Sequence, residues 1–234
     1  MNNNALKNAK IDAVLDAAGA EILKRGYLKT STKSIASAAN ITEKTLFQYF
    51  SNKLDILKQL IARQYMRLAE KLREQVADVE DVYEQYLRFS VCYTQEIEAH
   101  REFFNRPAAI YRGLTRTSRS EENPALQNPV IEVLIDIVQK GVESRRLPKD
   151  IDSLLFVYTY FGSIDYLNRS YIFDLPEVNP EKRHQRMMDC AKLLWSAAEQ
   201  FNAGGQGGQD VELMARLSHI ADELQLLGNS ITRR

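Results

Sequence analysis

Cysteine is almost missing from this 234-residue chain: only Cys92 and Cys190 occur, far apart and each inside an amphipathic pattern. That excludes a disulfide framework and fits a reducing compartment in which both thiols fill core space. Histidine is as scarce. His100, His184 and His219 have no acidic or cysteine companion at metal-ligand spacing, so no metal site is expected. No apolar run approaches the length of a membrane span, and Met1-Asn2-Asn3-Asn4 lacks the apolar core of a signal peptide. The expectation is a soluble, cytoplasmic protein without membrane association. Neither a phosphate loop, a nucleotide-binding glycine fingerprint nor a nucleophile elbow occurs, so nothing points to catalysis or to a cofactor.

Net charge is missing too, with 31 basic side chains against 31 acidic ones, which by itself argues against a nucleic-acid partner. The distribution along the chain is uneven, however. Residues 1–57 carry eight basic and five acidic side chains, a net of +3 that leaves −3 for the rest. A modestly basic module on a slightly acidic body is what local DNA contact needs.

What the chain has in abundance is helical periodicity, and sustained β-type alternation occurs nowhere, so the fold class is all-α. The first helix is predicted over Ala9 to Arg25, with Ile11, Val14, Leu15, Ala18, Ile22 and Leu23 facing inward and Gly26 as its stop. A fourth helix, capped by Ser51, runs from Lys53 to about Val79. Its Leu54, Leu57, Leu60 and Ile61 face the N-terminal module, and Tyr65, Leu68 and Leu72 continue the stripe onward, so a rigid rod would touch both parts of the chain. Further helices are predicted over Val82–Glu98, Arg101–Leu114, Val130–Arg145, from Asp150 or Asp152 onward, and Pro180–Asn202, with a surface loop over Thr115–Asn128.

Residues Ser31 to Phe50 read as two short helices and a tight turn. Ile35, Ala36 and Ala39 give one helix an apolar face, and Leu46, Phe47 and Phe50 give the next its own. Asn40 between them tolerates the left-handed backbone that ends a helix sharply, and Thr42 is placed to cap the helix that follows. Lys33, Thr42, Glu43, Lys44, Thr45, Gln48 and Tyr49 are left for the outer face. These are hydrogen-bonding side chains of a length that reaches phosphates and base edges.

With Arg25-Gly26-Tyr27 before it and Phe50-Ser51-Asn52-Lys53 and Leu57 behind, this segment resembles the N-terminal helix-turn-helix domain of TetR-type transcriptional repressors over about residues 10–60. Asn40 stands where the family usually has glycine. Phe47 stands where it usually has tyrosine and so lacks a hydroxyl for phosphate. The resemblance implies an N-terminal three-helix DNA-binding domain (1–52) followed by a helical ligand-binding and dimerisation domain (53–203), whose last two long helices pair with a second copy. The implied partners are double-stranded operator DNA, a second identical subunit and a small, mainly apolar effector. The DNA-binding set is then Thr32, Lys33, Thr42, Lys44, Thr45, Phe47, Gln48, Tyr49 and Lys53. Among these, Lys33, Thr45, Tyr49 and Lys53 hold the backbone while Lys44 and Gln48 read sequence.

In the second domain Tyr86, Phe89, Tyr93, Phe104, Tyr111, Phe161, Asp165 and Tyr166 either line a ligand cavity or form an aromatic core, and Asp165 is also placed to pair with Arg169. After a Gly/Gln linker (204–209), residues 210–234 form an amphipathic helix. Leu213, Leu217, Ile220, Leu224, Leu227 and Ile231 make a heptad seam there, which must be buried in cis or in trans. That seam supports a rival reading, an interaction module acting through the C-terminal helix.

Overall fold

The computed structural model describes residues 3–103, 129–172 and 182–201, all helix and connecting turns. Phe104, Tyr111, the linker 204–209 and the heptad segment 210–234 lie outside the described residues. Helix α1 (Asn3–Arg25) is followed by α2 (Thr32–Ala38), α3 (Glu43–Leu46), α4 (Lys53–Val76), α5 (Val82–Ala99) and a short α6 (Arg101–Phe103). After these come α7 (Pro129–Glu143), α8 (Ser153–Ile172) and α9 (Arg183–Phe201). No strand occurs among the described residues, in keeping with the all-α expectation.

These residues divide into two compact units. The first holds those up to Lys71 together with Glu96 to Val130, and the second Leu72–Gln95 with those from Ile131 on. The division falls inside α4, whereas the sequence placed it before that helix.

In the first unit the local chemistry explains each boundary. Helix α1 begins six residues before the expected Ala9, since nothing in Leu6-Lys7-Asn8 breaks a helix, and Gly26 at φ 81 stops it. Ser31 caps α2 in a reciprocal pair, accepting from Ser34 N at 3.0 Å while its own N–H reaches Ser34 Oγ at 3.2 Å. Asn40 has φ 55, the left-handed turn expected of it. The cap of α4 is Asn52, one residue beyond the expected Ser51: its Oδ1 accepts from Asp55 N at 2.9 Å, and Asp55 Oδ2 accepts from Ser51 N at 2.8 Å.

Val14, Leu15, Ala18 and Ile22 of α1 bury against Ile35, Ala36, Leu46 and Phe50 and against Ile56, Leu57, Leu60 and Ile61 of α4. Leu54, expected in this core, is 38% exposed, and Ile56 takes its place. Arg63 ties α4 to α1 with bonds to Asp12 Oδ1 (3.0 Å) and Asp16 Oδ1 (2.6 Å).

In the second unit α8 and α9 pack on each other. Val133, Leu134, Ile137 and Val138 of α7, Phe156, Val157, Tyr160 and Ile164 of α8, and Met187, Ala191 and Trp195 of α9 are buried. Asp152 starts α8 by accepting from Leu154 N and Leu155 N, both at 3.0 Å. The other side of α8 was expected to be covered as well. In the single chain it leaves Leu154, Tyr158 and Tyr166 exposed, with nothing within 4 Å of a Cβ built on Gly162. Cys92 and Cys190 are half-buried thiols that form no disulfide, and Cys92 Sγ donates to Gln75 Oε1 at 3.9 Å.

Candidate nucleic-acid interface

The caps and the turn at Asn40 set α2 and α3 against each other, and a side-chain bond locks the pair: Thr32 Oγ1 donates to Glu43 Oε1 at 2.5 Å. At the start of α3 the Thr42 hydroxyl accepts from Thr45 N at 3.1 Å and shares a hydrogen bond with Thr45 Oγ1 at 2.8 Å. Beyond Leu46 the helix tightens. Gln48 N bonds to Thr45 O at 3.1 Å and Tyr49 N to Leu46 O at 3.0 Å, the three-residue spacing of a narrowed last turn. Phe50, at the end of that turn, is buried in the core, whereas Phe47 and Gln48 are exposed.

The outward set is smaller than the sequence suggested. Lys33, Thr42, Lys44, Phe47 and Gln48 are exposed, whereas Thr32, Thr45, Tyr49 and Lys53 are half-buried. Tyr49 packs its ring against the core. Phe47, at 49% exposure, stands beside Gln48 as a solvent-facing ring. Lys53 is already engaged: its Nζ donates to Tyr27 O and Thr30 O, each at 3.0 Å, and sits 4.4 Å above the Tyr27 ring. Two of its three donors therefore tie the loop between α1 and α2 to the first residue of α4. Glu43, expected on the outer face, is half-buried and turned to Thr32, and Tyr27 and Thr30 were absent from the expected site; no local spacing signals these contacts, because each acts across a turn or a helix.

In the second unit the expected pocket aromatics are partly brought together. Tyr86, Phe89 and Tyr93 of α5 are buried against α8, with Tyr86 to Tyr160 at 5.7 Å and Tyr93 to Phe161 at 5.2 Å between ring centroids. Tyr86 donates its hydroxyl to Ala191 O at 2.9 Å, and its burial raises its pKa well above the ordinary value, so it stays protonated. Tyr93 donates to Asp165 Oδ1 at 3.2 Å. Tyr166, by contrast, is 48% exposed, on the opposite side of α8 from this cluster.

Trp195, Phe156, Tyr160 and Asn168 were missed. The first three sit in apolar stripes that a sequence cannot distinguish from ordinary core, and the last is a polar residue hidden inside one. A separate surface cleft of about 500 Å³ is lined by Glu80, Asp81, Gln85, Lys140, Glu143, Ser144 and Arg146. Of its two cations, Arg146 is bound to Asp81 (2.7 Å) and Glu199 (3.0 Å), and Lys140 Nζ donates to Gln85 Oε1 at 3.4 Å.

A capped helix pair with a left-handed turn, an exposed Lys44–Phe47–Gln48 set and an all-α body define a helix-turn-helix transcriptional regulator. Residues 14–60 match the bacterial regulatory proteins of the tetR family, and the N-terminal module belongs to that family. An uncharacterized HTH-type transcriptional regulator of Bacillus subtilis, YvkB, is 27% identical over 133 residues, 55% of this chain and 68% of that protein. The fatty acid metabolism regulator protein of the same organism is 24% identical over 162 residues, 68% of this chain and 81% of its own. The crystal structure of the B. subtilis regulator FadR in complex with stearoyl-CoA shares the fold at TM-score 0.58 and 20% identity, covering 79% of this chain and 97% of that one. The chain's relatives are regulators of transcription rather than enzymes.

Proposed function

We propose that the chain is a ligand-responsive transcriptional repressor that binds a pseudo-palindromic operator as a homodimer and is released by a small, mainly apolar molecule. The observation that carries this reading is the outward Lys44–Phe47–Gln48 set on a capped helix-turn-helix. Gln48 offers an amide that pairs with adenine, Lys44 reaches guanine acceptors, and the Phe47 ring suits a thymine methyl, turning a lost hydroxyl into an apolar contact. Lys33, Thr45 and Tyr49 serve the phosphates, and Lys53 positions the module with one donor to spare.

The exposed apolar side of α8, together with Leu193 of α9 at 71% exposure, supports pairing of two copies through these helices. Two modules then enter successive major grooves about 34–36 Å apart. Likeness to a fatty acid metabolism regulator and to a stearoyl-CoA complex supports an effector with a long apolar part. By linkage, an effector that weakens operator binding is itself bound more weakly by the operator complex, by the same factor.

The test is selection of bound genomic fragments by the full chain, followed by titration of the recovered operator complex with stearoyl-CoA. A shared motif of two half-sites, altered by Gln48→Ala or Lys44→Ala, is expected. Fragments without a common motif would sink the reading.

A further inference from the structure

We infer that the Asn168 carboxamide is the polar anchor of the effector site, and that the effector carries an uncharged group presenting both a hydrogen-bond donor and an acceptor. This rests on the ligand-responsive reading above.

The inward stripe of α8 runs Val157, Tyr160, Ile164, Asn168 at helical spacing, with none more than 1% exposed. Its last member is the anomaly. Asn168 is 0% exposed, and both its Nδ2 and its Oδ1 lack any hydrogen-bond partner among the described residues. Buried polar side chains are paired in the large majority of folds, and asparagine is a poor residue for a helix interior. A leucine here would serve the fold better on both counts, so the residue opposes stability at two levels at once, which marks a functional position.

Two turns earlier in the stripe, Tyr160 is buried as well, but its hydroxyl has the Ser90 hydroxyl beside it, which donates to Tyr86 O at 2.9 Å and is still able to accept. The fold thus encloses one unpaired donor and one unpaired acceptor on Asn168, in a stripe whose other members are apolar or aromatic.

The chemistry of the partner follows. An ionised head in so enclosed a place needs a paired counter-charge, so an uncharged one fits better. A bare thioester or ketone accepts only and would leave Oδ1 unsatisfied. An amide or a hydroxyl meets both needs. An acyl thioester of coenzyme A meets them only through the amides of its pantetheine arm.

The experiment compares dodecanamide with the methyl ketone of the same shape, which accepts but cannot donate, by calorimetry on the full chain. The parent should bind the amide about tenfold or more tighter, the order expected when a buried acceptor is left unpaired. Asn168→Leu should bind both equally and, without ligand, should melt above the parent. Equal binding by the parent, no binding of the amide, or a variant that keeps the preference overturns the assignment. The first comparison stands whatever the variant's fold. An unliganded variant that melts lower also overturns it, since the carboxamide would then serve the fold through ordered water. Operator affinity followed in parallel separates the two readings. Amide binding that leaves the operator complex intact removes ligand response and keeps the anchor, whereas release without any preference for the amide does the reverse.

Discussion

Lys53→Met removes one ammonium and keeps the stem, which makes it the sharpest probe of the module. In the structure that ammonium donates to Tyr27 O and Thr30 O at 3.0 Å each and lies 4.4 Å over the Tyr27 ring. Charged hydrogen bonds contribute about 1.5–3 kcal/mol when buried, and half-exposure reduces each of these to about 1 kcal/mol. The ring contact adds about 0.5–1 kcal/mol. The variant should lose about 2–3 kcal/mol, which for a chain of this length lowers Tm by about 4–12 °C.

The third N–H is a separate matter, read by a separate assay. If it meets a phosphate, the slope of log affinity against log salt falls by about 0.9 for each phosphate no longer neutralised, hence about 2 for a dimer. Differential scanning calorimetry and operator titration over a salt series divide the two roles. A variant that melts with the parent would refute the tie between loop and helix, whatever its salt slope. A lowered Tm with an unchanged slope would leave Lys53 a positioning residue and take it out of the phosphate set.

Asn40→Ala should cost about 1–2 kcal/mol, because φ 55 strains a side chain without a local hydrogen bond, while Asn40→Gly should cost nothing measurable in urea melts. Gly141→Ala would place its Cβ 2.7 Å from Leu147 Cδ1 and 3.2 Å from Trp195 Cη2, both in buried side chains. Overpacking of about 1–3 kcal/mol should outweigh a helix gain of about 1 kcal/mol, with a change in Trp195 fluorescence; a more stable variant would contradict the packing. Burial raises the pKa of Tyr86 and Tyr160 from 10.0 and that of Cys190 from 9.0. The folded state favours their neutral forms, so their contribution is full below about pH 9 and is lost as pH climbs through the raised values, and a urea midpoint already falling by about pH 8 would place the cause elsewhere. Leu193→Lys should shift the full chain from dimer to monomer in sedimentation, given 71% exposure of that leucine in the single chain.

What the sequence made legible is what its chemistry encodes within a few residues. The capping role of Thr42, the stop at Gly26 and the positive φ of Asn40 each depend on a side chain and the backbone beside it, and each stands where the pattern put it. The apolar faces of α1 and α4 were legible by period, apart from Leu54 in the first turn of α4, where neighbouring Ile56 has the inward phase. Contacts across the chain were not. Lys53 meets carbonyls 26 and 23 residues away, and Thr32 meets Glu43 at a separation of 11, so both looked like free DNA ligands.

The same distinction separates reading from support in the helix-turn-helix. Thr32 and Lys53 tie α2 to α3 and the α1–α2 loop to α4, so Lys44, Phe47 and Gln48 stand exposed on a rigid base, and, on the function proposed above, that rigidity would lower the entropy lost on binding DNA. Asn168 is the converse case. Its spacing is that of a core residue and its chemistry is not, and only the finding that both amide atoms are enclosed without partners turns an unremarkable position in α8 into a place where a ligand would improve the fold. An effector that completes those hydrogen bonds stabilises whichever conformer holds it best. Control of the operator then requires only that this conformer differ from the one that fits DNA.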